Sequence, residues 1–368
     1  MPERILLVSG IFPPESGGPG KFAESFAKWN INRKNSVFVL AYANKHKKIE
    51  KSPLLTIHFF LRSDSIALRF SKFVWNIGLN SYRHKSILAV GAFIETYVAS
   101  IIFRFEYIAK VPGDIVWERA RNNKLTELRI EEFQKSKLGF KYRIFRKLYS
   151  KSLKRASSII VPSQGLFDLC KHWGIQENRI HLVHNSVDIS EFRVSMQANR
   201  KFDCLTVCRL TTWKGVDELI EYCSRRKLRL VVAGDGPERI NLEKLAKNLG
   251  ADVTFLGEIQ KDALMRILQN SKLFVLNSYY EGLPHALVEA RAAGILSVGR
   301  AGTGSAEVIN DDIDGFLIRP DRGLDETLDL AFSQIPKCSV FLERAKTDTK
   351  TRFDQSTNFA HIQRILER

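Results

Sequence analysis

The sequence predicts an α/β protein made of two parallel-sheet domains. Three observations carry this expectation. Short apolar runs alternate with longer stretches of helical periodicity along the whole chain. Several of these runs end in a glycine- or proline-containing turn that opens the next helix, as at 17–20, 233–239 and 278–283. At 368 residues the chain has the length of two domains of ordinary size.

In order along the chain, a first strand is expected at 5–8. The loop SGIFPPESGGPG follows, and then a helix whose Phe22, Phe26 and Trp29 fall at i, i+4 and i+7 and so share one face. Strand-like runs recur at 37–40, 57–60, 115–117, 158–161 and 180–183. The run 87–103 is apolar except for Glu95 at its centre. A central acid costs about 2.5–3.5 kcal/mol in a bilayer, so a buried or membrane-facing helix is expected there and not a span. The segment 190–200 is polar and aperiodic and is expected to link the two domains. Strands of the second domain are expected at 204–208, 228–233, 253–256, 273–276 and 296–298. No internal repeat or low-complexity tract is present, which argues against a solenoid.

Composition narrows the class. Hydrophobic content of 44% and charged content of 26% exclude disordered and fibrous chains. The net charge of +17 is unevenly placed: residues 1–200 hold 33 Lys and Arg against 16 Asp and Glu, and the remainder holds 24 of each. A first half of this kind is expected to meet something anionic, such as a membrane surface, a phosphorylated acceptor or nucleic acid. Five cysteines without a CxxC pair fit core thiols of a reducing compartment. The start, MPERILLVSG, has the pattern of a strand and not of a signal peptide.

The densest chemistry lies in EGLPHALVEA, residues 281–290. Glu281 and Glu289 flank a turn and the start of a helix, directly after an apolar strand. Pro284 at the first helical position needs no N–H partner, and the amides of Gly282, Leu283 and His285 then present the positive helix end to a phosphate. His285 and Glu289, four apart, share a face, and Gly282 allows close approach of backbone to a bound group. The two acids can accept from sugar hydroxyls. Arg209, after the strand CLTVC, and Lys214, in LTTWKG, suit the neutralisation of a departing diphosphate. In the loop Gly17, Gly18, Pro19, Gly20 the glycines offer bare amides, though Pro19 breaks any dinucleotide fingerprint. Metal and nucleophile templates are missing: there is no HExxH and no GxSxG, and the DxD of NDDIDG is expected as a turn. His181 and His184 bracket a strand end and are expected to be structural. Residues 135–155 read as one cationic amphipathic helix, with Leu138, Tyr142, Phe145 and Tyr149 on its apolar stripe.

Taken in order, GGPGKFAESFAK, VPSQGLFDLCKHWGI with NRIHLVHNSVD, VCRLTTWKG, VVAGDGPE, VTFLGEI and EGLPHALVEARAAG resemble the group 1 (family 4) retaining glycosyltransferases over nearly the whole chain. The resemblance implies a GT-B fold of two Rossmann-like domains facing a cleft. Residues 1–190 would bind the acceptor, residues 200–350 would bind a nucleotide sugar, and a helix in 351–368 would cross back to the first domain. It puts the diphosphate on Arg209, Lys214, Gly18 and the amides near Gly282 and Leu283, the ribose on Glu289, the transferred sugar on Glu281, and the base against the backbone of Gly257 and Ile259. It implies same-face attack with no protein nucleophile and no divalent metal or other cofactor. Two departures stand out. Glu118 and Arg119 occupy the region of the middle strand where relatives carry a His, and Arg291 and Ile295 replace an apolar residue and a proline-containing turn.

The function expected from all this is transfer of a hexose from a UDP- or GDP-sugar to a glycan or lipid-linked acceptor of the cell envelope, on the cytoplasmic face of a membrane. Two rivals share the scaffold, a nucleotide-sugar epimerase and a glycan phosphorylase. A non-enzymatic rival is a basic module for polyanions or membranes. Against nucleic acid stands the absence of a recognisable binding motif.

Overall fold

A computed structural model describes residues 3–15, 17–44, 50–192, 200–302 and 304–368. The chain divides into two compact units, Met1–Val183 with Ser356–Arg368, and His184–Gln355. Much of the expected linker, namely residues 193–199, lies outside the described residues.

The first unit runs β1 (Arg4–Ser9), α1 (Gly18–Asn32), β2 (Ser36–Ala43), β3 (Glu50–Lys51), β4 (Leu55–Leu61), α2 (Ile66–Ser81), β5 (Ser86–Val90), α3 (Phe93–Phe103), β6 (Ile108–Lys110), α4 (Ile115–Asn122), α5 (Ile130–Lys135), α6 (Phe140–Arg155), β7 (Ser158–Val161), α7 (Gln164–His172) and β8 (Ile180–Leu182). Its strands lie in the order β3-β4-β2-β1-β5-β6-β7-β8, parallel except for β3 against β4. The order reverses between β1 and β5. The near-continuous Val, Ile and Leu of β1 are wholly buried, as a parallel strand covered on both faces requires.

In the second unit β9 (Phe202–Val207), α8 (Val216–Arg226), β10 (Leu230–Ala233), α9 (Arg239–Asn248), β11 (Val253–Gly257), α10 (Lys261–Gln269), β12 (Ser271–Leu276), α11 (His285–Ala292), β13 (Leu296–Arg300), β14 (Phe316–Ile318), α12 (Leu324–Gln334) and α13 (Ser339–Arg352) follow in turn. The sheet order is β11-β10-β9-β12-β13-β14, all parallel, with its reversal between β9 and β12. The final helix, α14 (Gln355–Leu366), packs within the first unit. Its Phe359 ring meets Phe22, Phe26 and Trp29 of α1 edge-on at 5.6, 5.3 and 5.9 Å. Each such pair adds about 0.5–1.5 kcal/mol beyond the area it buries.

Four sequence expectations are corrected. Residues 115–117 are not a strand but the first turn of α4, because Asp114 caps the helix by accepting from the Val116 and Trp117 amides at 2.9 and 3.1 Å. A three-residue apolar run carries too little periodicity to tell the two apart. The strand at that place in the sheet is β6, seven residues upstream of Trp117 at its Lys110 end. The run 87–103 is not one helix: Gly91 and Ala92, both with positive φ, turn the chain from β5 into α3. The basic helix does not begin at 135 but splits at Ser136, the C-cap of α5, and resumes after Gly139. Pro284 stands at the N-cap of α11 and not at its first helical position, with ψ of 111°.

Candidate functional site

Open parallel sheets bind ligands beyond the carboxyl ends of their strands, where the strand order reverses. In the second unit that point is flanked by the segment after β9 and the loop after β12, which carry Arg209, Lys214, Glu281 and Gly282.

The segment after β9 is held by the AGDG loop. Leu210 N donates to Asp235 O at 2.9 Å, and Glu238 N donates to Leu210 O at 3.1 Å. The approach leaves no room for side chains: a Cβ on Gly234 would lie 1.9 Å from Cys208 O, and one on Gly236 would lie 2.2 Å from Leu210 O. Gly234 N also donates to Gly257 O at 2.7 Å, which ties in the end of β11. Gly257 has φ of 65°, and Ile259 beyond it packs on the second unit's core. Arg209 points outward from this frame. It is exposed, and among the described residues its side chain makes no hydrogen bond or ion pair.

Lys214 closes a short 3-10 turn, Thr212–Lys214, and Gly215 follows with φ of 58°. A Cβ on Gly215 would stand 2.5 Å from Asn277 Nδ2, so glycine lets α8 start directly against the end of β12. Tyr279 N donates to Trp213 O at 2.8 Å and joins the two loops again. Lys214 Nζ and Glu281 Oε1 are 2.6 Å apart, with side chains only 13% and 14% exposed. A pair so covered is screened far less than a surface pair.

Around the ion pair runs a polar network that sequence reading missed. Asn277 Nδ2 donates to Gly215 O at 2.9 Å and to Glu218 at 3.0 Å. Arg300, at the end of β13, donates through Nε to Asn277 Oδ1 at 3.1 Å and through Nη2 to Glu218 at 2.9 Å. Its guanidinium lies 4.1 Å from the centroid of the Tyr279 ring, and the Tyr279 hydroxyl donates to Glu218. An arginine ending an otherwise apolar strand was the available signal. The ends of β12 and β13 are thereby fastened to the start of α8.

The loop then enters α11. Gly304 N donates to Glu281 O at 3.0 Å, and a Cβ there would lie 2.4 Å from Gly282 O, so the close-approach glycine is Gly304 as much as Gly282. Asn185 Nδ2 donates to Leu283 O at 2.8 Å. His285 and Glu289, both half-buried, stand one turn apart on α11. Cys208 is no nucleophile here, since burial pushes its thiol up to about 11 and leaves it protonated.

Arg291 proves to be a structural centre. It is fully buried and bonds Asp314 at 2.7 Å and Asp348 at 2.9 Å. Asp314 also accepts from Asn310 N and Nδ2, and Asp311 from Leu317 N. The DxD is thus a turn, its Asp312 at φ of 60° and paired with Arg322. Among the described residues no three His, Cys, Asp or Glu side chains are grouped to hold a metal ion.

The remaining expected residues belong to the first unit. Gly17 is the N-cap of α1 with φ of 150°, where a Cβ would lie 2.6 Å from Ile11 Cδ1, and Gly18 begins the helix. Glu118 and Arg119 do not reach a strand end. They sit on α4, with the Arg119 guanidinium 4.7 Å over the Phe145 ring of α6. The side chain at the carboxyl end of the strand is Lys110, buried with its Nζ 4.6 Å over Phe22, and burial lowers its pKa to about 7. Partial burial lowers His181 below its ordinary value, and His184, which opens the second unit, packs 5.3 Å from Phe353.

Residues 188–348 match the family model of glycosyl transferases group 1, and residues 122–191 match that of glycosyltransferase family 4. An uncharacterized glycosyltransferase of Methanocaldococcus jannaschii is 28% identical over 182 residues, 44% of this chain and 47% of that protein. A Campylobacter jejuni N,N'-diacetylbacillosaminyl-diphospho-undecaprenol alpha-1,3-N-acetylgalactosaminyltransferase is 27% identical over 245 residues, 60% of this chain and 61% of that protein. The chain thus spans from about a sixth to about three-fifths of the length of these curated relatives. Among solved structures, sucrose-phosphate synthase from Thermosynechococcus elongatus superposes with a TM-score of 0.82 at 15% identity, over 99% of this chain and 98% of that one. Anabaena HepE in complex with UDP and glucose superposes at 0.78 and 20% identity, over 99% of both chains. The two parallel sheets with flanking helices are those of GT-B enzymes. With its motifs in family order and two adjoining family models covering residues 122–348, the chain belongs to the group 1 glycosyltransferases of family 4.

Proposed function

We propose that this chain is a retaining glycosyltransferase that moves a hexosyl group from a UDP- or GDP-sugar to a glycan or lipid-linked acceptor in the synthesis of an envelope or surface polysaccharide. The observation that carries the reading is the covered Lys214–Glu281 pair between the segment bearing Arg209 and the start of α11. A diphosphate needs cations where charge develops as it leaves. Arg209 offers one that is unengaged, and Lys214 offers a second that a diphosphate can draw from Glu281. The released carboxylate then accepts from hydroxyls of the transferred sugar, and Glu289 does so from the ribose. The amides of Gly282, Leu283 and His285 face the phosphates past Pro284, and the backbone at Gly257 and Ile259 flanks the base.

In the step itself the bond from the anomeric carbon to the diphosphate oxygen breaks, and a bond to the acceptor oxygen forms on the same face. The acceptor proton passes to the departing diphosphate. No protein nucleophile takes part in this reading. The His184–Gln355 unit holds the donor in this reading, and the basic first unit meets the acceptor. The relatives support both partners. One acts on an undecaprenol-linked substrate, one depends on GDP-mannose, and the Anabaena structure contains UDP.

The test is a thermal-shift panel of UDP, GDP, ADP and their common sugars, with and without magnesium, on the wild type and Glu289→Ala. A ligand at about 100 times its Kd adds roughly 2.7 kcal/mol of stability. One nucleotide should stabilise the wild type and lose its effect in the variant; a wild type indifferent to every nucleotide would sink the reading.

A further inference from the structure

The large apolar side chains exposed in the first unit are not scattered. All of those among the described residues lie on α2 and its C-cap, on α3, on α6 and in the connection between α4 and α5. On α2, Leu68, Trp75, Leu79 and Tyr82 fall at i, i+7, i+11 and i+14, a single stripe turned outward, with Trp75 58% exposed. α3 lies alongside: its Phe103 ring meets Trp75 at 5.4 Å and Tyr82 at 6.3 Å, and the adjacent Ile101 and Ile102 project outward, the latter 59% exposed. α6 packs on the other side of α3 through Phe93 and Tyr149, 5.7 Å apart. The stripe read from sequence on α6 turns inward at Tyr149, which is buried. The outward ridge is Phe140, Ile144 and Leu148, with Phe140 70% exposed.

The charge on these helices has one sign. α2, α3 and α6 together carry nine Lys and Arg against a single acid, Glu95, and that acid accepts a hydrogen bond from the Tyr42 hydroxyl at 3.0 Å. Lys141, Lys147 and Lys151 are exposed beside the α6 ridge. An apolar ridge set among cations, with Trp and Tyr at its edge, suits the boundary between anionic headgroups and acyl chains. It suits a second copy poorly, because a two-fold contact would set this cationic surface against itself.

We infer that the face formed by α2, α3 and α6 of the first unit is a docking surface for a membrane of anionic lipid, with Trp75, Leu79 and Ile102 entering the interface and the α6 lysines lying over the headgroups. No helix among the described residues is long and apolar enough to cross a membrane, so the contact is one of lying on the surface. The inference deepens the lipid-linked acceptor reading and rests on it only for why a bilayer is near the site.

The experiment is co-sedimentation of the full chain with vesicles of phosphatidylcholine alone, or with about one-third phosphatidylglycerol, a content chosen to give a strongly negative surface. The wild type should sediment with the anionic vesicles and be released by high salt. The double variant Trp75→Ser/Leu79→Ser and the charge-reversal variant Lys147→Glu/Lys151→Glu should each bind at least about tenfold more weakly. Three results overturn the inference: a wild type that stays in the supernatant with anionic vesicles, variants that bind as well as the wild type, or a soluble dimer dispersed by Trp75→Ser/Leu79→Ser with no vesicle binding. The nucleotide thermal shift, run on the same proteins, reports folding of the variants. Its absence in the wild type counts against the transferase and leaves the docking result standing.

Discussion

Lys214 and Glu281, 67 residues apart in sequence, form a 2.6 Å ion pair at the point where the second sheet reverses its strand order. The pair joins the turn before α8 to the loop before α11, in a place largely closed to water. Under the proposed function either charge is exchanged for a ligand group of the same sign, so the pair would serve as a site as well as a brace.

The two partners should fail differently. Lys214→Ala should weaken nucleoside diphosphate binding and lower transfer by about 10²–10³-fold, the scale of losing one preorganised donor aimed at developing negative charge. Glu281→Gln should lower transfer comparably yet bind the diphosphate as tightly or more tightly, because Lys214 is no longer neutralised. Calorimetric titration with the preferred nucleotide, beside a transfer assay, separates the two; normal turnover in both variants contradicts the assignment.

Glu289→Ala should leave the melting curve of the ligand-free protein nearly in place while removing the shift produced by the nucleotide. The expected wild-type gain is roughly 2.7 kcal/mol at about 100 times Kd. A shift retained in full would mean that α11 meets no ribose.

Arg300 acts through Asn277, Glu218 and Tyr279. Arg300→Met should lower transfer about tenfold, in line with about 1.5 kcal/mol, the lower end for a lost hydrogen bond to a charged group, and should speed hydrogen exchange at the amides of 278–283. Arg300→Lys should recover little, since an ammonium cannot reproduce the planar fork. Unchanged exchange in that loop would show that the network positions nothing.

Arg291→Ala should destabilise the fold by about 3–5 kcal/mol, because it leaves Asp314 as an uncompensated buried charge. Burial raises the Asp314 carboxyl, but the bonds and charge of Arg291 outweigh it and hold the group below its ordinary value. The native state therefore releases this proton more readily than the unfolded chain, and the resulting stability is present at neutral pH and lost as pH falls through the lowered value. Urea melts from pH 6 downward should show this acid loss in the wild type and a smaller one in Arg291→Ala.

Lys110 should give the opposite profile. Burial lowers it to about 7, so between that pH and the ordinary lysine range the unfolded chain holds a proton that the native state does not. Stability then rises with pH across the window, by up to about 1.4 kcal/mol per unit. Lys110→Met should flatten that rise in melts taken from pH 7 to pH 10, and an unaltered slope would refute the burial of a titrating amine there.

Much of this was legible from residues alone. Runs such as Leu273–Leu276 and the glycines that follow the strands declare a parallel α/β plan, because strand periodicity and turn chemistry are local properties. Asp114 shows where local reading fails: a single cap turned 115–117 from strand into helix, and that choice depends on a side chain reaching back to two amides. In the same way Gly91 and Ala92 broke an apolar run in two, and the helix of 135–155 was cut at Ser136.

The site divides along the same line. EGLPHALVEA, Arg209 and Lys214 stand out by charge and spacing, since the proposed diphosphate and sugar hydroxyls would need such groups near a helix start. Nothing in the chain order says that Glu281 pairs with Lys214, that Arg300 ties Asn277 to Glu218, or that Trp75 and Ile102 are left facing outward. What the sequence by itself determined was the alternation of strands and helices, the basic first half and the residue types available for phosphate and hydroxyl contacts. The tertiary structure alone decided which of those residues meet and which apolar side chains stay uncovered, because ion pairs and exposed ridges are made by elements distant in sequence that only the packed sheet brings together.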